Sequence, residues 1–123
     1  MERNIYIEGK PVRMRTSARI HSDYREYFGK DLISELTKFK TDSEEGNQNY
    51  EVFENLAWLM TKKAGEQVHP PELTAQEAVA AWLDGFETSL AIVNATSQIV
   101  GLYSAGNKTN SKPRKNPAPR PEN

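Results

Sequence analysis

At 123 residues the chain has room for one domain, or for a smaller domain and a tail, and for one modest core. Its apolar fraction of 37% and mean hydropathy of -0.76 are low for a fully globular chain, which predicts that part of it stays unfolded. The absence of cysteine excludes a disulfide framework, a thiolate zinc site and a cysteine nucleophile, and it fits a reducing compartment.

The net charge of -1 hides an uneven distribution. Residues 107–123 carry five Lys or Arg and one Glu, hence +4, whereas the first 106 residues carry eleven basic and sixteen acidic side chains, hence -5. An acidic body is not the footprint of a nucleic-acid binder. No apolar run approaches the roughly 18 residues of a membrane span. Met1-Glu2-Arg3-Asn4, followed by only three apolar residues, does not read as a signal peptide. A soluble, cytoplasmic protein is expected.

Residues 4–15 read as a β-hairpin. Ile5 and Ile7 alternate with Asn4, Tyr6 and Glu8, and Val12 and Met14 alternate with Pro11, Arg13 and Arg15. Glu8-Gly9-Lys10 supplies the turn, with Gly9 free to take a positive φ. Thr16 and Ser17 are expected to cap a first helix over about 18–28, with Ile20, Tyr24, Tyr27 and Phe28 on one face and Gly29 as its stop. Asp31 can cap a short second helix whose inner face is Leu32, Ile33, Leu36 and Phe39. Lys40 to Asn49 has no periodicity and reads as a polar loop.

The chain is organised around Tyr50 to Gly65. Phe53, Leu56, Ala57, Met60 and Ala64 form one helical stripe, and Val52, Leu56 and Leu59 form a second beside it. So broad an apolar face predicts a helix packed on more than one side. Glu51 and Glu54 in the first turn and Lys62 and Lys63 in the last suit the helix dipole, and Gly65 is a natural stop. Glu66 to Leu73 is a connector stiffened by Pro70 and Pro71. Thr74 and Glu77 fit a capping box for a fourth helix, with Ala78, Val79, Trp82, Leu83 and Phe86 on one face and Gly85 placed to end or kink it. A fifth helix is expected from about Glu87 to Ser104, with Ile92, Ala95, Ile99, Leu102 and Tyr103 inward. From residue 107 the Lys- and Pro-rich sequence lacks the apolar residues needed to repay ordering and is expected to be disordered. The whole reads as mainly α: a compact bundle of about five helices with an N-terminal hairpin (body 1–106) and a disordered basic tail (107–123).

Catalytic chemistry is hard to find. His21 and Asp23 lie two apart and His69 is remote, a poor metal site. Ser17, Ser89 and Ser97 lack a G-x-S-x-G context, and there is no glycine-rich phosphate loop. Glu44-Glu45 and the Glu51/Glu54 pair read as a solvated loop and a helix first turn. No enzyme and no cofactor are expected. The candidates for partner binding are the aromatics Tyr24, Tyr27, Trp58, Trp82 and Phe86, which either line a groove or fill the core.

Three segments carry a resemblance to a known family: Ser22-Asp23-Tyr24-Arg25-Glu26-Tyr27-Phe28-Gly29-Lys30-Asp31-Leu32, Phe53-Glu54-Asn55-Leu56-Ala57-Trp58-Leu59-Met60, and Ala81-Trp82-Leu83-Asp84-Gly85-Phe86. Over roughly residues 4–105 the chain resembles the tail assembly chaperones of long-tailed bacteriophages and prophages of Gram-positive hosts. The shared segments are packing motifs, with no catalytic signature. The resemblance implies a protein that acts in the host cytoplasm and binds the very long tape measure protein. It would keep that protein's apolar helices from aggregating, help tail tube subunits polymerise around it, and be absent from the finished virion. It also implies a longer form made by programmed ribosomal frameshifting, for which Arg114-Lys115-Asn116 is the best place for a slip, since those codons can form a slippery heptamer. Open hairpin edges and broad apolar helix faces predict a homo-oligomer. The competing reading is a small regulatory or nucleic-acid adaptor of a mobile element, acting through its basic tail.

Overall fold

The computed structural model describes residues 1–66 and 72–106. The expected disordered tail, Pro70, Pro71 and His69 lie outside the described residues.

Two antiparallel strands, β1 (Glu2–Ile7) and β2 (Lys10–Arg15), form the hairpin. Ile7 faces Lys10 across a two-residue turn in which Glu8 has φ 53° and Gly9 φ 78°. Two positive φ values in succession mark the turn that matches strand twist. The register puts Ile5, Ile7 and Met14 on the buried face with Val12 half-buried beside them, and Tyr6 opposite Pro11 on the outer face. Because Ile7 and Lys10 flank the turn as a bonded pair, Tyr6 and Pro11 are a non-bonded pair. The N–H that proline lacks would have pointed away from the ladder, so Pro11 costs no cross-strand bond.

Four helices and the hairpin surround one central helix. The outer helices are α1 (Ile20–Phe28), α2 (Leu32–Glu44), α4 (Ala75–Leu83) and α5 (Ala91–Gly106), and α3 (Glu51–Lys63) runs between them. Every residue from Val52 to Thr61 except Glu54 is buried, and α3 touches β2, α1, α2, α4 and α5. The broad apolar face read from the sequence is therefore used on all sides. The two polar residues in the buried run are satisfied: Asn55 Nδ2 donates to Tyr24 Oη at 3.3 Å and Thr61 Oγ1 to Ala57 O at 2.8 Å. An ion pair between Lys63 and Asp23 ties the end of α3 to α1. Gly65, at φ 88°, lets its N–H return to Lys62 O at 2.9 Å and closes the helix.

Several local signals act as expected. Asp31 accepts from Ser34 N at 2.9 Å and starts α2. Thr74 and Glu77 form a reciprocal capping box at the start of α4. Gly29, at φ 68°, ends α1.

Other expectations need correction. The helix α1 begins at Ile20, not 18, and neither Thr16 nor Ser17 is its N-cap. Thr16 still belongs to the hairpin, exchanging backbone bonds with Met1. Ser17 O and Oγ instead hold Ile20 N and Arg19 N in a turn before the helix. The helix α2 extends to Glu44, so the polar loop is half as long as expected. Its last turn needs no apolar face and carries a Lys38–Asp42 pair at 3.6 Å. Ile33 is 57% exposed rather than inward. With Leu32 buried and Leu36 and Phe39 packed against the core, the helical rotation carries Ile33 to the outside.

The fifth helix starts at Ala91, one turn later than Glu87, and runs to Gly106. The amides of Glu87 and Thr88 are taken by the carboxylate of Glu8, at 3.0 Å to each oxygen for Glu87 and 2.8 Å for Thr88, and the chain there turns instead of coiling. The helix then passes along β1, where Gln98 accepts from Tyr6 N at 3.0 Å and donates to Tyr6 O at 3.3 Å. One side-chain amide thus occupies both outward backbone groups of Tyr6 on the edge strand. At the other end, Gly106 sits directly on Thr16: a Cβ there would lie 2.1 Å from Thr16 Cγ2.

Candidate functional site

The five aromatic candidates do not form one groove. Tyr24 and Trp58 are fully buried, so of the two readings, groove or core, these two fill the core and are not contact residues. Tyr24 points from α1 into α3, and burial pushes its hydroxyl pKa up to about 12 despite the bond from Asn55. Trp58 meets the edges of Tyr27 and Phe28 at 5.6 and 5.8 Å. Tyr27 covers this pair from outside and is 41% exposed, with Lys62 Nζ 5.8 Å from its ring centre. Tyr27 is thus a lid over core rings, and on its other side it lines a small cleft of about 100 Å³ with Phe28, Lys30, Glu51, Asn55 and Gln76.

Trp82 and Phe86 are placed differently. They contact each other edge to face at 5.1 Å and stay half-buried at the corner between α4 and α5. Phe86 lies beyond the end of α4, in a turn closed by bonds from Asp84 N to Ala80 O, Gly85 N to Trp82 O and Phe86 N to Leu83 O. A Cβ on Gly85 would come 3.2 Å from Trp82 O, so the tight turn suits glycine. That turn swings Phe86 back over Leu83. Together with Ala91 and Ile92 of α5, Thr88, Ser89 and Glu54 of α3, these two residues line a cleft of about 200 Å³. Leu90, 52% exposed, follows at its edge in sequence. Glu8 holds the far side of the corner through the amides of Glu87 and Thr88.

Glu54 is the residue that sequence reasoning missed. Its position in the sequence predicts only a first-turn acid favourable to the dipole. In the structure it lines the cleft, half-buried, and burial first and the nearby Glu51 second push its carboxyl above the ordinary carboxylate range. Its backbone N–H donates to Tyr50 O at 3.1 Å, whereas its carboxylate takes part in none of the ion pairs or side-chain hydrogen bonds among the described residues. A signal was present: Glu54 is the one charged residue between Val52 and Met60, at the border of an apolar face too broad to leave it fully in water.

Elsewhere the polar groups are engaged in structure. His21 Nε2 and Tyr103 Oη lie 2.7 Å apart and join α1 to α5. Among the described residues no cluster of three or more His, Cys, Asp or Glu is placed to hold a metal ion, and no helix is long and apolar enough to cross a membrane. The cleft at the α4–α5 corner is suited to binding an apolar or amphipathic group, with the Glu54 carboxylate as the one charged group in its lining. Comparison with protein-family models, curated proteins and solved structures finds no match to this chain.

Proposed function

We propose that this protein is a tail assembly chaperone of a long-tailed bacteriophage or prophage. It binds the tape measure protein in the host cytoplasm, holds its apolar helices in solution while tail tube subunits polymerise, and leaves before the virion is complete. It acts by binding and carries out no catalysis.

One observation carries the reading: the three family-like segments have two different fates. The first, 22–32, and the second, 53–60, build the α1–α3 core, with Tyr24, Leu32, Leu56, Trp58 and Met60 fully buried. The third, 81–86, comes to the surface and leaves Trp82, Leu83 and Phe86 only half-covered, with Leu83 and Phe86 lining the cleft and Trp82 against Phe86. A packed body with an incompletely covered apolar corner is what helix-in-groove binding requires. Many copies on one very long client would add avidity, and self-association would strengthen it further.

The test is co-expression with the tape measure protein encoded beside this chain, followed by affinity capture. A soluble complex is expected. It should persist without residues 107–123 and in about 1 M salt, where the Debye length is about 3 Å, because apolar burial is hardly screened. Phe86→Ser should weaken capture while the protein's own unfolding transition is retained. A complex that needs the tail and dissolves in salt would favour the basic-tail adaptor instead, and no capture at all would defeat the chaperone reading.

A further inference from the structure

We propose that the α4–α5 cleft is a pocket for a cationic aliphatic side chain, a Lys or Arg carried on the apolar face of a partner helix. The proposal deepens the reading of this corner as the client-binding face.

The walls are the apolar side chains of Leu83, Phe86, Ala91 and Ile92, and Thr88 and Ser89 add the only hydroxyls. The only charged group lining the cleft is Glu54, and no cation of the described chain pairs with it. Its neighbour one turn back on α3 is Glu51, another carboxylate, which adds like charge beside it. The environment already disfavours the ionised form of Glu54 through desolvation. Each class of occupant changes that situation differently. An anionic side chain would meet like charge. A wholly apolar side chain would fill the cleft and remove the remaining water from Glu54, leaving a carboxylate buried and unpaired. A Lys or Arg lays its methylene stem along Leu83, Phe86 and Ile92 and brings its charged head to the carboxylate, so that burial and pairing occur together. Amphipathic helices carry such residues at the border of their apolar stripe, which is where a corner cleft meets them.

The experiment uses the full chain, isotope-labelled for NMR, and three blocked helical peptides of Ala and Leu that differ at one central position: Lys, norleucine or Glu. The Lys peptide should shift the resonances of Leu83, Phe86 and Ile92 and bind about tenfold or more tightly than the norleucine peptide, as a charge-assisted hydrogen bond implies. The Glu peptide should bind weakest. Glu54→Gln keeps the shape, removes the charge and should erase the preference for Lys over norleucine. Equal binding of the Lys and norleucine peptides would overturn the cation pocket and leave the docking corner standing. Perturbation of the cleft by neither peptide would overturn the pocket and the corner together. Cleft shifts that depend on protein concentration alone would assign it to a second copy and also overturn the proposal. Binding of the Lys peptide without capture of the tape measure protein would keep the pocket and remove the chaperone function.

Discussion

Replacing Glu8 by Asn sets two effects of opposite sign against each other. Glu8 holds φ at 53°, a left-handed conformation that costs a residue with a Cβ roughly 1–2 kcal/mol. Asn tolerates this region, and Asn-Gly is the favoured pair for this turn, so turn chemistry alone predicts a gain of about 1 kcal/mol for Glu8→Asn. Against it stand the bonds from Glu87 N and Thr88 N to the Glu8 carboxylate, at 2.8 to 3.0 Å. A hydrogen bond to a charged group contributes about 1.5–3 kcal/mol, and at this exposed site the lower end applies, giving about 3 kcal/mol for two amides. The carboxamide of Asn is neutral and one carbon shorter. The expected balance is a net loss of about 1–2 kcal/mol. In urea unfolding followed by circular dichroism, with a slope of about 1–3 kcal/mol/M, the midpoint should fall by roughly 0.5–1 M at an unchanged slope. Glu8→Gln, which keeps the length and loses the charge, should fall between the two. Hydrogen exchange at Glu87 and Thr88 should quicken in both. A midpoint that is unchanged or raised in Glu8→Asn would refute the claim that this long-range cap, rather than local turn preference, explains the glutamate.

Three further outcomes follow from particular contacts. Leu56→Ala, at the fully buried centre of α3, should lose about 2–5 kcal/mol of unfolding free energy by chemical denaturation, and a loss well under 1 kcal/mol would show that α3 is not the centre of the core. Gly106→Ala should destabilise by about 1–3 kcal/mol even though alanine is the better helix former, because its Cβ would overlap Thr16 Cγ2; a raised thermal midpoint would refute this. The stability difference between Glu54→Gln and the parent should depend on pH. Because burial raises the Glu54 carboxyl, its contribution is fully present below the unfolded value of about 4.3 and is lost as pH rises through its folded value. The variant should therefore gain on the parent as pH rises from the unfolded carboxyl value through the higher folded one, and a flat difference would show that Glu54 is as solvated as an open surface carboxylate.

The local devices of this chain were legible in its residues. Gly9, Gly29, Gly65, Asp31 and the Thr74–Glu77 box each act on backbone groups within a few positions, and such geometry is set by the residue types themselves. The same holds for α3, whose apolar face is so wide that almost any packing would bury it. The rotation of one helix against another was not legible. Helical periodicity relates residues on a single helix and leaves open which of them meets a neighbour, so Ile33 turned outward, and Tyr24 and Trp58 became core while Trp82 and Phe86 stayed half-exposed. Contacts between residues far apart in sequence were equally hidden. Glu8 reaches Thr88 across 80 positions and delays α5, and Gln98 reaches Tyr6 across 92 and covers a strand edge. The cleft belongs to this second class. Its carboxylate comes from the first turn of α3 and its apolar walls from the end of α4 and the start of α5, and only the packing of those three segments turns an ordinary dipole-favoured glutamate into an unpaired charge facing an apolar wall.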